Sequence, residues 1–120
     1  MSQQGIVVLT DAMLITCIVQ RGAADKVVDE AMRAGAHGAT VFYARGTGVR
    51  QRHLGVLGIA ISAEKEIVHV VVASEQADRV FESMHAAAQI DTPGMGILYM
   101  TAVEKMATYV PPEVVARYID

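Results

Sequence analysis

Hydrophobic and polar positions follow two different periods along this chain. Residues 14–20, LITCIVQ, are a β-branched, apolar run of the kind that fills a strand buried on both faces. The next stretch, RGAADKVVDEAMRAGAHG (21–38), reads as a helix. Val27, Val28, Ala31 and Ala34 fall on one stripe, and Gly35 suits the residue just past a helix C-terminus. Residues 39–45, ATVFYAR, return to strand, and EIVHVVVA (66–73) is the clearest strand of all. Ser74 is placed to cap a second helix with Glu75 in its first turn. That helix reaches about Gln89, with Ala77, Val80, Phe81, Met84 and Ala88 inward. The turn DTPGMG (91–96) then leads into ILYMTAVEKMATYV (97–110), read as one long final strand. PPEVVARYID offers a short terminal helix, since proline suits a first turn. Residues 1–13 leave two options open, an extra strand from GIVVL or a loose arm.

The order β-α-β, loop, β-α-β implies two crossover units interleaved into one sheet. The expected class is α+β: a ferredoxin-like βαββαβ domain with a four-stranded antiparallel sheet and both helices on one face. One domain is expected over residues 1–120, with its core at 14–110, a loop at 49–64 and a tail at 111–120. Strands such as EIVHVVVA are too apolar to face water, so the second sheet face calls for cover by subunit association.

Composition narrows the function. The chain is 52% hydrophobic with no tryptophan, and its net charge of −3 argues against a general electrostatic grip on nucleic acid. Its single cysteine, Cys17, excludes an internal disulfide and a CxxC site, and reads as a small buried hydrophobe. No apolar run reaches the ~20 residues that span a bilayer, and MSQQGIVVLTDAM lacks the basic start of a signal peptide. A cytoplasmic protein is expected, associated with a membrane only through a partner. His37, His53, His69 and His85 form no HExxH or HxH pair, so no metal site is expected, and His69 reads as a core or interface histidine. Asp25, Asp29, Glu30, Asp78 and Glu82 fall on outer helix faces. No nucleophile stands in a catalytic signature, and an enzyme is not expected.

Two glycine-rich turns remain, Gly46-Thr47-Gly48 and Gly94-Met95-Gly96. Such residues turn consecutive N–H groups toward an anion, but they also build ordinary tight turns. The first turn opens ARGTGVRQRHLGVLG (44–58), which concentrates Arg45, Arg50 and Arg52 in one loop.

GAHGATVFYARGTG (35–48), KEIVHVVVASEQADRVFESMHAAAQ (65–89) and DTPGMGILYMTAVEKM (91–106) together resemble the PII signalling-protein family over about residues 14–110. The resemblance implies a non-catalytic homotrimer with its sheets facing the threefold axis. It further implies an adenine nucleotide (AMP, ADP or ATP) as effector in clefts between subunits, with no required cofactor. The 49–64 segment would be the T-loop that docks on a target such as a transporter, channel or enzyme. By this likeness Thr40 and Val71 would contact adenine, while Gly46, Thr47 and Gly48 would meet ribose and phosphates. Gly94, Met95 and Gly96 would form the B-loop, and Gln51 and Lys65 match positions that hold 2-oxoglutarate. Arg45, Arg50, Arg52 and His53 would supply phosphate or partner contacts.

The departures from the family pattern bear on the ligand. The B-loop aspartate and lysine are replaced by Met95 and Ile97, and the paired arginines of the last strand by Thr108 and Val110. Each lost charge-assisted contact is worth ~1.5–3 kcal/mol. AMP or ADP therefore fits better than ATP. The alternative is a trimeric adaptor, or a small-anion or metal-binding protein, that has lost nucleotide binding.

Overall fold

The computed structural model describes residues 6–45, 64–109 and 111–113. In chain order these form β1 (Ile6–Leu9), β2 (Ala12–Gln20), α1 (Ala24–Arg33), β3 (Thr40–Arg45), β4 (Glu64–Ala73), α2 (Ser74–Ala88), β5 (Gly96–Val103) and β6 (Met106–Tyr109). β3, β4, β2 and β5 lie side by side in that order in one sheet, and every neighbouring pair is antiparallel. Each helix thus joins two parallel strands across an intervening one, which is the ferredoxin-like arrangement expected from the sequence.

Strand alternation divides the sheet into a core face and an outer face. Ile15, Cys17 and Val19 of β2 and Val68, Val70 and Val72 of β4 are buried beneath the helices. Val27 and Ala31 of α1, with Ala77, Val80, Met84 and Ala88 of α2, pack against them. The outer face carries Leu14, Thr16 and Ile18 of β2, Ile67, His69 and Val71 of β4, Phe42 of β3, and Ile97 and Tyr99 of β5. Phe42 stands 39% exposed, Val71 44% and Tyr99 45%, so none of the described residues covers this apolar face. Thr16 is buried there because His69 and Tyr99 flank it on either side. The His69 ring meets Phe42 edge-on, with centroids 5.1 Å apart.

Both helices end in closed hydrogen-bond loops. Gly35 N–H donates to the Met32 carbonyl and Ala36 N–H to that of Ala31, the paired pattern of a Schellman motif. Gln89 adopts the left-handed conformation and ends α2 in the same way, through Ala86 and His85. Arg79 Nε donates to the Ala34 carbonyl (2.9 Å) and Ser83 Oγ to that of Glu30 (3.2 Å), tying the helices together.

Several boundaries differ from the sequence reading. The first helix is shorter than the 21–38 stretch, because a turn closed by Ala23 N–H to the Gln20 carbonyl precedes it. Ser74 does not cap α2. It is the first helical residue, since β4 runs straight into the helix, and its N–H donates to the Asp11 carbonyl (3.2 Å). Glu64 already belongs to β4, so it is strand and not the end of a 49–64 loop. The long final strand is two strands, interrupted at Glu104-Lys105, and GIVVL supplies β1, which pairs with the second of them. The terminal helix proposed in PPEVVARYID falls, beyond residue 113, outside the described residues.

Cys17 is fully buried in the middle of the core, and burial pushes its thiol up to about 12. At pH 8 the native protein should therefore resist an alkylating reagent that modifies the urea-unfolded chain fully, a difference readable by mass spectrometry.

Candidate functional site

The pairing registers bring four chain segments to one end of the sheet. Gln20 of β2 lies opposite Lys65 of β4, Arg45 of β3 lies opposite Glu64, and Val19 lies opposite Gly96 of β5. Both ends of the segment 46–63 are therefore rooted here, beside the β2–α1 turn, and the DTPGMG turn meets the same end at the other edge. Gly46, Thr47, Gly48, Arg50, Gln51, Arg52 and His53 lie outside the described residues.

At this end, on the helix side, is an open depression of about 600 Å³, lined among others by Arg21, Tyr43, Arg45, Glu64, Lys65 and Glu66. Two guanidinium groups and two carboxylates gather here, with the buried Lys65 between Glu64 and Glu66 on β4, in a chain whose net charge is −3. Arg21 Nη1 donates to Glu64 Oε1 at 2.7 Å, and this bond, reinforced by the carboxylate charge, holds the guanidinium above its ordinary pKa. The pair is largely exposed, so it contributes little to stability. It does join the β2–α1 turn to the first residue of β4.

Glu66 has a different part. Alternation sets it on the core face with Val68, Val70 and Val72, and its Oε1 accepts from Ala24 N–H at 2.8 Å in a buried contact. α1 has no side-chain cap of its own, so a carboxylate from another strand satisfies an orphan donor at its N-terminus. Lys65 points to the outer face and is buried, and desolvation holds its pKa below the ordinary lysine value of 10.5.

The second glycine turn proves to be firmly held. Thr92 N–H donates to the Gln89 carbonyl (2.9 Å) and Met95 N–H to that of Thr92 (3.2 Å). Pro93 and Gly94 occupy the centre of the second of these turns, and the φ of +84° at Gly94 fits a type II turn. Gln20 Nε2 donates to the Gly94 carbonyl at 2.6 Å, fastening the turn to the end of β2. Gly96 has φ +154°, and a Cβ there would lie 2.4 Å from the Ile18 carbonyl oxygen. The close approach of β5 to β2 thus requires glycine whatever binds nearby.

The proposed ligand positions do not converge within one chain. Thr40 lies opposite His69, so Thr40 and Val71 are diagonal neighbours on the outer face, and both are exposed. Val71 is six residues along β4 from Lys65, roughly 20 Å away. Gly94, Met95 and Gly96 sit at the β5 edge and Arg45 at the β3 edge, three strand spacings or roughly 14 Å apart. Sequence reasoning did not single out Gln20, Arg21, Tyr43, Glu64 or Glu66. Glu66 alone carried a signal: it shares the parity of the three buried valines of EIVHVVVA. Among the described residues no group of three His, Cys, Asp or Glu side chains could hold a metal ion, and no helix is long and apolar enough to cross a membrane.

A ferredoxin-like sheet with a fastened turn at one end defines a class of small α+β domains rather than an activity. The family model described as nitrogen regulatory protein P-II matches residues 12–111, and the chain belongs to that family. Among solved structures it is similar to the crystal structure of Arabidopsis thaliana PII bound to citrate. The two share 20% sequence identity and a TM-score of 0.61, with 79% of each chain covered. No curated protein matches the chain.

Three substitutions test these assignments by urea denaturation. Glu66→Ala should lower stability by about 1–2 kcal/mol through loss of the cap to α1. Gly96→Ala should cost at least ~2 kcal/mol through backbone strain and the clash with Ile18, whereas a glycine kept only for a ligand would leave stability unchanged. For Lys65 the sign follows from its depressed pKa. The charged form is penalised in the folded state, and the penalty fades as pH rises from the folded pKa toward 10.5. Wild-type stability relative to Lys65→Met should therefore increase with pH across that window.

Proposed function

We propose that this chain is a PII-type signal-transduction protein, not an enzyme. In this reading it forms a homotrimer through its outer sheet face and binds an adenine nucleotide in clefts between copies. It regulates a partner protein, such as a membrane transporter or an enzyme, through the segment 49–63. The observation that carries the reading is the separation of the ligand positions. Thr40 and Val71, the loop base at Arg45 and Lys65, and the turn Gly94–Gly96 occupy different strands and edges of one sheet. A single nucleotide can touch all three groups only if neighbouring copies contribute different ones. The uncovered apolar face gives those copies a reason to associate.

Charge supports AMP or ADP over ATP. Ile97, Thr108 and Val110 stand where the family pattern has cations, which leaves Arg45 and Lys105 among the described residues, with Arg50 and Arg52, to meet phosphate. Ligand charge in the cleft would bias the loop between arrangements and so set its availability to a partner. The fold similarity to a PII bound to citrate adds small carboxylates to the effectors worth testing. A second reading has one observation in its favour. Gly94 and Gly96 are explained by the turn and by Ile18 alone, as in an adaptor, or a small-anion or metal-binding relative, without nucleotide binding.

Calorimetry and thermal shift with AMP, ADP, ATP, cyclic AMP, bicarbonate and citrate decide between the two. The nucleotide reading expects AMP or ADP to bind at least tenfold more tightly than ATP, and silence with every adenine nucleotide would overturn it. The double change Arg50→Ala/Arg52→Ala should weaken nucleotide binding in the first reading and only partner binding in the second.

A further inference from the structure

The last residue of β2 has a strand partner on one side only. Gln20 lies opposite Lys65 of β4, but the ladder to β5 ends one residue earlier, at Val19 and Gly96. On the β5 side the Gln20 side chain takes over. Its Nε2 donates to the Gly94 carbonyl at 2.6 Å in a half-buried contact between residues 74 positions apart. Among the hydrogen bonds described for residues 91–95, this one alone reaches another strand. The rest join Thr92 to Gln89 and Met95 to Thr92, and so hold the turn only to itself and to the end of α2.

The bond from Gln20 completes the anchoring of one peptide group. The peptide between Gly94 and Met95 gives its N–H to the Thr92 carbonyl and receives Gln20 on its C=O. In a trans peptide these two groups point in opposite directions, so bonds to both fix its plane from two sides. The neighbouring peptide, between Pro93 and Gly94, is the centre of the type II turn and takes part in none of these bonds. Its Gly94 N–H is a donor that the turn does not consume. The direction of that donor follows from the fixed plane one Cα away.

We propose that Gln20 is a positioning residue, which aims the Gly94 N–H at the anionic group of a bound ligand without touching the ligand itself. The proposal rests on the nucleotide reading above. A turn held only by its local bonds would rock about the ends of α2 and β5 and present the donor in several directions. Affinity falls in proportion to the fraction of molecules in the competent arrangement, so a tie to the sheet raises it. A neutral amide suits the task. A carboxylate at this position would repel the ligand, and an ammonium would stand directly opposite Lys65.

The test compares wild type with Gln20→Met, which keeps the length of the side chain and removes its donor. Calorimetry with AMP, ADP and ATP measures affinity, proton–nitrogen NMR follows the Gly94 amide, and circular dichroism monitors folding. In wild type the Gly94 amide proton should move downfield as nucleotide binds, the mark of a new hydrogen bond to an anion. In Gln20→Met, still folded, that movement should be lost and affinity should fall by about tenfold, the size of one charge-assisted hydrogen bond. A Gly94 proton that ignores the nucleotide in wild type overturns the proposal. So does a variant that binds as tightly as wild type, or one that binds more weakly with the Gly94 response intact. In each of these cases the nucleotide reading stands. A wild type that binds no adenine nucleotide overturns both. Should Gln20→Met fail to fold, Gln20→Asn takes its place with the same expectations, because it keeps the amide but is one carbon too short to reach the Gly94 carbonyl.

Discussion

The structure depends on the hydrogen bonding of β2 along both of its edges. One strand from Ala12 to Gln20 sets the register of β4 on one side and β5 on the other. That pairing buries Ile15, Cys17 and Val19 beneath both helices, and it decides what meets at each end of the sheet. Gln20 reaches the Gly94 carbonyl only because Val19 is paired with Gly96. Arg21 reaches Glu64 only because Gln20 is paired with Lys65. A slip of one residue would turn the valines of β4 outward and pull the loop base away from the fastened turn.

The helices were legible because each buries one stripe, and a 3.6-residue period shows directly in Val27 and Ala31, or in Val80, Met84 and Ala88. The interleaved topology was legible from element order. Strand limits were less so. Ala12-Met13 and Glu64-Lys65 have no strand-like composition, and they are held in the sheet by partners far away in sequence. The division of the last strand carried one local mark, the adjacent charges Glu104-Lys105, and it coincides with the point where β4 has given way to α2. At the site, Thr40 and Val71 could be named from likeness, but their distance from Lys65 is a property of register that no local pattern carries. Gln20, Arg21 and Glu64 escaped notice for the same reason. Each is an unremarkable polar residue until pairing gives it a neighbour.

The two glycine turns, similar on paper, differ in how far the fold accounts for them. Gly96 answers to the Ile18 carbonyl, and the Gly94 carbonyl is already bonded to Gln20. What the turn offers a ligand is its placement and its unused groups, not special glycine conformations adopted for binding. The positive charge sits at the opposite edge, where Arg45 stands near a depression that also holds two carboxylates. One of these caps a helix and the other holds Arg21, so the local field is already partly balanced by bonds the fold needs.

The cap supplied by Glu66 also bears on the order in which the chain can form. Its oxygen reaches a backbone donor 42 residues earlier in the sequence. During synthesis α1 emerges well before β4, and its first turn then lacks both a local cap and the strand that carries the distant one. The helix can fray at that end until β4 aligns beside β2, and loop closure across the intervening segment must come first. Completion of α1 is therefore a late event, tied to the same step that brings the two ends of the 46–63 segment together.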